Sequence, residues 1–142
     1  MRNNLFALFA ASLLFTCFGC PPPAHCDQQF NVNEAFSMNQ GTSACMKTET
    51  DFTIRFNQVT DDSRCPEGVQ CIWAGRVDVA LILAKDGAAQ NIELSSGDLG
   101  KGGKGEVVFN GYTIRLENIA PAKVEGSKIE QKDYTIRLMV AK

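Results

Sequence analysis

Two cysteines with only five residues between them, in the stretch Asp61-Asp62-Ser63-Arg64-Cys65-Pro66-Glu67-Gly68-Val69-Gln70-Cys71-Ile72-Trp73-Ala74-Gly75, constrain this chain more than any other feature. Pro66 and Gly68 lie between them and are the residue types that turn a chain most sharply. A loop this tight brings the Cys65 and Cys71 sulfurs within bonding reach, and closing seven residues is worth roughly 2 to 2.5 kcal/mol of loop entropy. Beyond the loop, Cys71, Trp73, Val77, Val79, Leu81 and Leu83 occupy alternate positions, with Arg76 and Asp78 between them, which is the period of a strand. The alternation predicts that Trp73 points into the core against the cystine. The competing role for it is stacking on a ligand. Gly75 falls in the same row, where a missing side chain leaves room for the indole or marks a bulge. The tip residues Arg64, Glu67 and Gln70 have no core to enter and are the candidate binding loop.

The wording Asp-Ser-Arg-Cys-Pro (62–66) followed by Gly-Val-x-Cys-x-Trp-Ala-Gly (68–75) resembles a motif of a group of small, uncharacterised bacterial secreted proteins and lipoproteins. The likeness extends more weakly to Phe36-Ser37-Met38-Asn39-Gln40-Gly41-Thr42, to Gly111-Tyr112-Thr113-Ile114 and to Tyr134. It implies a secreted β domain and carries over no catalytic residue.

Residues 1–19 read as a signal peptide: Arg2 is the only charge, and the apolar run from Leu5 to Phe18 is short for a membrane-spanning helix. The run ends in Cys17-Phe18-Gly19-Cys20, which resembles a bacterial lipobox because a small residue precedes a cysteine. Cys17 stands where Leu is usual there. The expectation is a lipid (diacylglycerol and palmitate-type chains) on Cys20; ordinary cleavage to a soluble secreted product is the alternative. Residues 20–30 then form a lipid-anchored N-terminus and spacer, in which Pro21-Pro22-Pro23 favour an extended chain and His25, the only histidine, is a solvated linker residue.

Six cysteines divide accordingly. Cys17 leaves with the leader and Cys20 carries lipid, so Cys26, Cys45, Cys65 and Cys71 remain, with three possible connectivities. The local loop favours Cys65 with Cys71, which leaves Cys26 with Cys45, and an exported chain meets the oxidising compartment where such pairs persist. The spacing contains no Cys-x-x-Cys and no His pair, against both a four-thiolate metal site and a thioredoxin-like redox centre.

Residues 31–142 are enough for one domain with one core. The formal net charge of the chain is −2, and nothing in it forms the basic patch that nucleic acid would demand. Phe52-Thr53-Ile54-Arg55-Phe56, Tyr112-Thr113-Ile114-Arg115-Leu116 and Tyr134-Thr135-Ile136-Arg137-Leu138 share one design, an aromatic and aliphatics on one face with Thr and Arg on the other. If the three strands were neighbours, their Thr/Arg rows would make an anion-binding face. Otherwise they form a solvated face with residues such as Glu117.

Asp86-Gly87, between Val77–Lys85 and Gln90–Leu94, and Asn110-Gly111, between Val107–Phe109 and Tyr112–Leu116, supply the positive φ of tight hairpins. Phe36–Met38 and Ala44–Lys47 read as shorter strands around Gly41, and Val124–Lys132 has room for a turn or two of helix. The whole predicts an all-β fold, an antiparallel β-sandwich or barrel of about seven or eight strands. The glycine- and lysine-rich run 96–105 lacks a Gly-Lys-Ser/Thr ending and a following helix, so it reads as a loop between strands and not as a phosphate cradle. Asp61-Asp62 reads as turn chemistry before it reads as a Ca²⁺ site.

No nucleophile with a base, no carboxylate pair and no metal set stands out, so the sequence predicts no enzyme, no cofactor and no metal. The expected function is a lipid-anchored cell-envelope binding or structural module, on an outer membrane facing the periplasm or the exterior. Its expected partners are the membrane, through the lipid, and a protein. The alternatives are an inhibitor that presents the Cys65–Cys71 loop to a hydrolase, and a small hydrolase or metal protein.

Overall fold

A computed structural model describes residues 25–97, 99, 100 and 102–142. Nine strands run through them: β1 (Gln28–Phe30), β2 (Ala35–Asn39), β3 (Ser43–Met46), β4 (Thr53–Asp62), β5 (Arg76–Lys85), β6 (Ala88–Gly97), β7 (Glu106–Phe109), β8 (Tyr112–Ala120) and β9 (Thr135–Ala141). They form a β-sandwich of two sheets, one ordered β1-β3-β4-β5-β6 and the other β2-β9-β8-β7. All pairings are antiparallel except that of β1 with β3. The first strand lies inside the stretch expected to be spacer. Cys26 explains this, because its bond to Cys45 of β3 draws the preceding chain against the sheet, with the two Cα atoms 5.6 Å apart.

Both hairpins form where their turn dipeptides put them. Asp86 and Gly87 adopt φ of 51° and 77°, and Asn110 and Gly111 adopt 47° and 80°, so two residues reverse the chain with the twist that the flanking strands need. The strand after Asp86-Gly87 starts two residues earlier than expected, at Ala88, and pairs with β5 as far as Gly97. β4 is longer than its aromatic pattern indicates; irregularities between Phe56 and Gln58 and between Val59 and Asp61 bend it and carry it on to Asp62.

The core lies between the sheets. Ile54, Phe56, Val77, Val79, Leu81 and Leu83 face Ile114, Leu116, Ile136, Leu138 and Val140, the alternate positions of β4, β5, β8 and β9. An aromatic cluster closes one end: the Phe52 ring lies 5.1 Å from Tyr112, 5.8 Å from Phe109 and 6.1 Å from Phe30, all at steep interplanar angles. The three Thr/Arg strands do not come together as one face, since β4 belongs to one sheet and β8 and β9 to the other. Arg115 pairs with Glu106 at 2.8 Å and Arg137 with Glu117 at 3.2 Å, a solvated face held by ion pairs. The stretch 124–132 is irregular, with a single 3-10 turn at Gln131–Asp133. No helix among the described residues is long and apolar enough to cross a membrane.

Candidate functional site

β4 and β5 are joined by residues 63–75, and the local sequence dictates how this connection is held. Its two arms stay paired beyond the strands: the Ser63 amide donates to the Arg76 carbonyl at 2.8 Å and the Cys65 amide to the Ala74 carbonyl at 2.9 Å. The Cys65–Cys71 bond closes the outer part, with Cα atoms 6.0 Å apart, and the Val69 amide donates to the Pro66 carbonyl in the turn between. Gly75 sits at φ +68°, and a Cβ there would lie 1.9 Å from the Ser63 carbonyl oxygen. Only glycine lets the arms approach this closely. Its service is to the Ser63 backbone, not to an indole.

That glycine is also why the expectation for Trp73 fails. From Val77 onward the row Val77, Val79, Leu81 and Leu83 is buried as expected, although Asp78 between the first two is buried as well. The row cannot be extended back past Gly75, because β5 begins at Arg76 and residues 71–75 are not in a strand, so a period of two no longer decides which side chains face the core. Cys71 is exposed, Trp73 is 67% exposed and Ile72 is 96% exposed. The cystine and the tryptophan belong to the surface.

Arg64 departs from expectation in the opposite direction. Its Nε donates to Asp62 Oδ1 at 2.9 Å and its Nη2 to Oδ2 at 2.7 Å, a two-pronged pair whose side chains are 17% and 10% exposed. The same guanidinium donates to the carbonyls of Ile119 at 3.3 Å and Pro121 at 3.0 Å. Tyr134 adds its hydroxyl to Asp62 Oδ2 at 2.9 Å. Arg64 is thus a tie between the loop and the connection that follows β8, a use that the planar fork of arginine suits and lysine does not. Burial pushes the Asp62 carboxyl up, but the hydrogen bonds from Arg64 and Tyr134 outweigh it and leave its pKa lowered. Tyr134 is pushed up to about 12 by burial and by the Asp62 carboxylate beside it.

Glu67 and Gln70 are exposed, as expected of the loop tip. The Glu67 backbone is not free, however: its amide donates to the Lys123 carbonyl at 2.8 Å and it bridges to Val124, while Lys123 Nζ donates to the Asp62 carbonyl at 2.8 Å. Two connections, 63–75 and 121–134, therefore form a single cap at one end of the sandwich. A recess of about 220 Å³ in this cap is lined by Asp62, Lys123, Ser127, Lys128, Ile129 and Tyr134.

The Cys26–Cys45 bond lies toward the other end. Cys45 pairs opposite Thr53, the first residue of β4, whereas the cap follows Asp62, the last. At about 3.3 Å per residue this separates the Cys26–Cys45 bond from the cap by roughly 25 to 30 Å along the strand. His25 lies there, exposed, with Nδ1 3.2 Å from an Asp27 oxygen. Cys20 lies outside the described residues.

Among the described residues no group of three or more His, Cys, Asp or Glu side chains is placed to hold a metal ion. Asp62 has both oxygens engaged by Arg64 and Tyr134 and so serves the cap. Comparison with protein-family models, with curated proteins and with solved structures returns no match, so function is argued from this geometry. The signal that sequence reasoning missed was Gly75, whose place between a strand and a cystine loop marks the end of the alternating pattern.

Proposed function

We propose that this protein is an exported, lipid-anchored binding module of the bacterial cell envelope, non-enzymatic, which presents the 63–75 loop to a partner. The observation that carries this reading is the pair Ile72 and Trp73, exposed on a loop that is stapled by a disulfide and tied to the fold by Arg64. Water-exposed apolar side chains on a rigid support are what a recognition surface uses, since ordering costs are already met before binding. Two disulfides fit an oxidising compartment, and the apolar leader ending in Gly19-Cys20 supplies the export signal and the thiol for a lipid.

Intact mass of the protein from its source cells tests the anchor. A diacylated N-terminus at Cys20 and release of Cys20→Ala from the membrane fraction are expected, and a soluble species with an unmodified N-terminus elsewhere overturns it. The inhibitor reading draws on the same projecting cystine loop. It requires saturable loss of turnover of an envelope or host hydrolase on adding the protein, whereas a binding module leaves such turnover unchanged.

A further inference from the structure

We propose that Ile72 and Trp73 are the anchor by which the loop docks into an apolar pocket with a basic rim on a partner protein, and not into a lipid bilayer. This rests on the binding-module reading and names its site and the chemistry of its partner. Isolated exposed apolar residues are ordinary on any surface, and Val108 and Leu99 are of that kind. Ile72 and Trp73 differ in being adjacent and in being held out. The cystine, the Ser63–Arg76 and Cys65–Ala74 backbone bonds and the contact of Gly75 with Ser63 leave the loop no freedom to fold its apolar pair back onto the sandwich. Half-exposed Val124, on the neighbouring connection bridged to Glu67, extends the apolar surface of the same cap.

Charge selects a protein over a membrane. Within the 63–75 loop the one base, Arg64, is held by Asp62 while Glu67 at the tip is exposed, and over the whole cap, with Asp61, Asp62 and the 121–134 connection, six acids stand against four bases. Anionic headgroups repel such a rim, and interfacial anchoring normally pairs an aromatic with Lys or Arg. A pocket with an apolar floor and basic edges is complementary to it. Tryptophan at the centre of a contact, ringed by polar residues such as Glu67 and Gln70, is the usual composition of a binding hot spot.

Trp73 is the only tryptophan of the chain, so its emission reports on this site alone. The full-length exported protein, carrying a photo-cross-linking amino acid in place of Gln70, is irradiated on intact source cells. An adduct with one protein is expected; it should vanish when Trp73→Ala or Ile72→Ser is added and should not form from the same probe at Gln90 on β6. The captured protein, purified, should shift Trp73 emission to the blue. Trp73→Ala should weaken its binding about 30-fold or more, the effect of a hot-spot residue. Glu67→Lys should weaken it several-fold and reduce its salt dependence. Both apolar variants should unfold at the wild-type denaturant concentration, which separates docking from folding. Three outcomes overturn the proposal: adducts indifferent to Trp73, a blue shift on vesicles of phosphatidylethanolamine and phosphatidylglycerol, or a concentration-dependent dimer that buries Trp73. A missing lipid on Cys20, read by intact mass, would refute the anchor while leaving the Trp73-dependent adduct to stand or fall by itself.

Discussion

The two cystines sit at opposite ends of the sandwich and do different work. Cys45 is buried in β3, and its bond to Cys26 brings the N-terminal chain into the larger sheet, close to Phe30 and Phe52 of the core. Cys65 and Cys71 close a surface loop whose neighbouring aromatic faces water. A disulfide therefore fixes which segments meet without fixing which side of them meets the core. Phe52, seven residues from the nearest cysteine in sequence, is fully buried among Phe30, Phe109 and Tyr112, while Trp73, two residues from Cys71, is 67% exposed.

The sharpest way to break this contrast is to remove each aromatic in turn. Phe52→Ala should cost about 3 to 5 kcal/mol, the usual loss for a large buried ring, and is enough to unfold a domain of this size. Trp73→Ala should change stability by less than about 0.5 kcal/mol, and so should Glu67→Ala and Gln70→Ala. Urea titration followed by far-UV circular dichroism measures all four. Equal losses from Phe52→Ala and Trp73→Ala would mean that the loop is a buried plug, and would return Trp73 to the core.

Removing the bridges comes next in size. The Cys26–Cys45 bond joins residues 19 apart in sequence, for which loop entropy alone predicts roughly 3 kcal/mol, against roughly 2 kcal/mol for the separation of 6 between Cys65 and Cys71. The double variant Cys26→Ala/Cys45→Ala should therefore be the less stable of the two double variants, with an added loss from the buried Cys45 site. Cys65→Ala/Cys71→Ala should keep most of the core intact while opening the amides of 63–75 to hydrogen exchange. Protection lost across β3 in the second variant would show that the loop supports the sheet.

Much of this arrangement is legible in the residues, and what is not has identifiable causes. The hairpins, the strand periodicity of β5, β8 and β9, and the pairing of four cysteines follow from turn chemistry, alternation and the shortness of one loop. The strand count rises to nine because β1 owes its existence to a cystine partner and not to its own three residues. Trp73 lies outside the core because the alternating period stops at Gly75, whose φ lies outside the strand region and after which β5 begins. Arg64 could be read as a loop charge or as the partner of Asp61 or Asp62, and Asp62 is the partner it takes; its further bonds, to the carbonyls of Ile119 and Pro121, are 55 and 57 residues away and no local pattern announces them. Of the three loop residues expected at the surface, Glu67 and Gln70 are exposed and Arg64 is drawn in by Asp62, while Trp73, expected in the core, lies at the surface.

Arg64 sharpens the comparison within the cap itself, since it is the polar residue that the fold cannot spare. Arg64→Ala should cost about 2 kcal/mol, because Asp62 would keep its burial and lose its charged hydrogen-bond partner. The pH dependence carries the same information. Asp62 has a folded-state pKa below its ordinary value, near 3.9 when unfolded, so its contribution is present above that pH and is lost as pH falls through the lower folded value. In Arg64→Ala burial acts with less opposition, and acid unfolding should begin at a higher pH than in the wild type. An unchanged acid limb would show that Arg64 and Asp62 are not coupled.

Tyr134 gives the smallest effect and the most specific one. Tyr134 lies just before β9 and its hydroxyl donates to Asp62, so Tyr134→Phe removes one hydrogen bond to a charged acceptor and should cost about 1 kcal/mol at neutral pH. Because burial and the Asp62 carboxylate push the phenol up to about 12, from near 10 when unfolded, the neutral form is the one that the fold favours. Its contribution is complete below pH of about 10 and drains away as the pH rises toward 12. Stability of the wild type minus that of Tyr134→Phe should thus be flat through neutrality and shrink over that alkaline interval, with other alkaline titrations cancelling in the difference. The near-ultraviolet phenolate absorbance lost in Tyr134→Phe should titrate in the same interval. A difference that stays constant into the alkaline range would mean that Tyr134 supports the cap by packing alone, and that Asp62 is held by Arg64 without it.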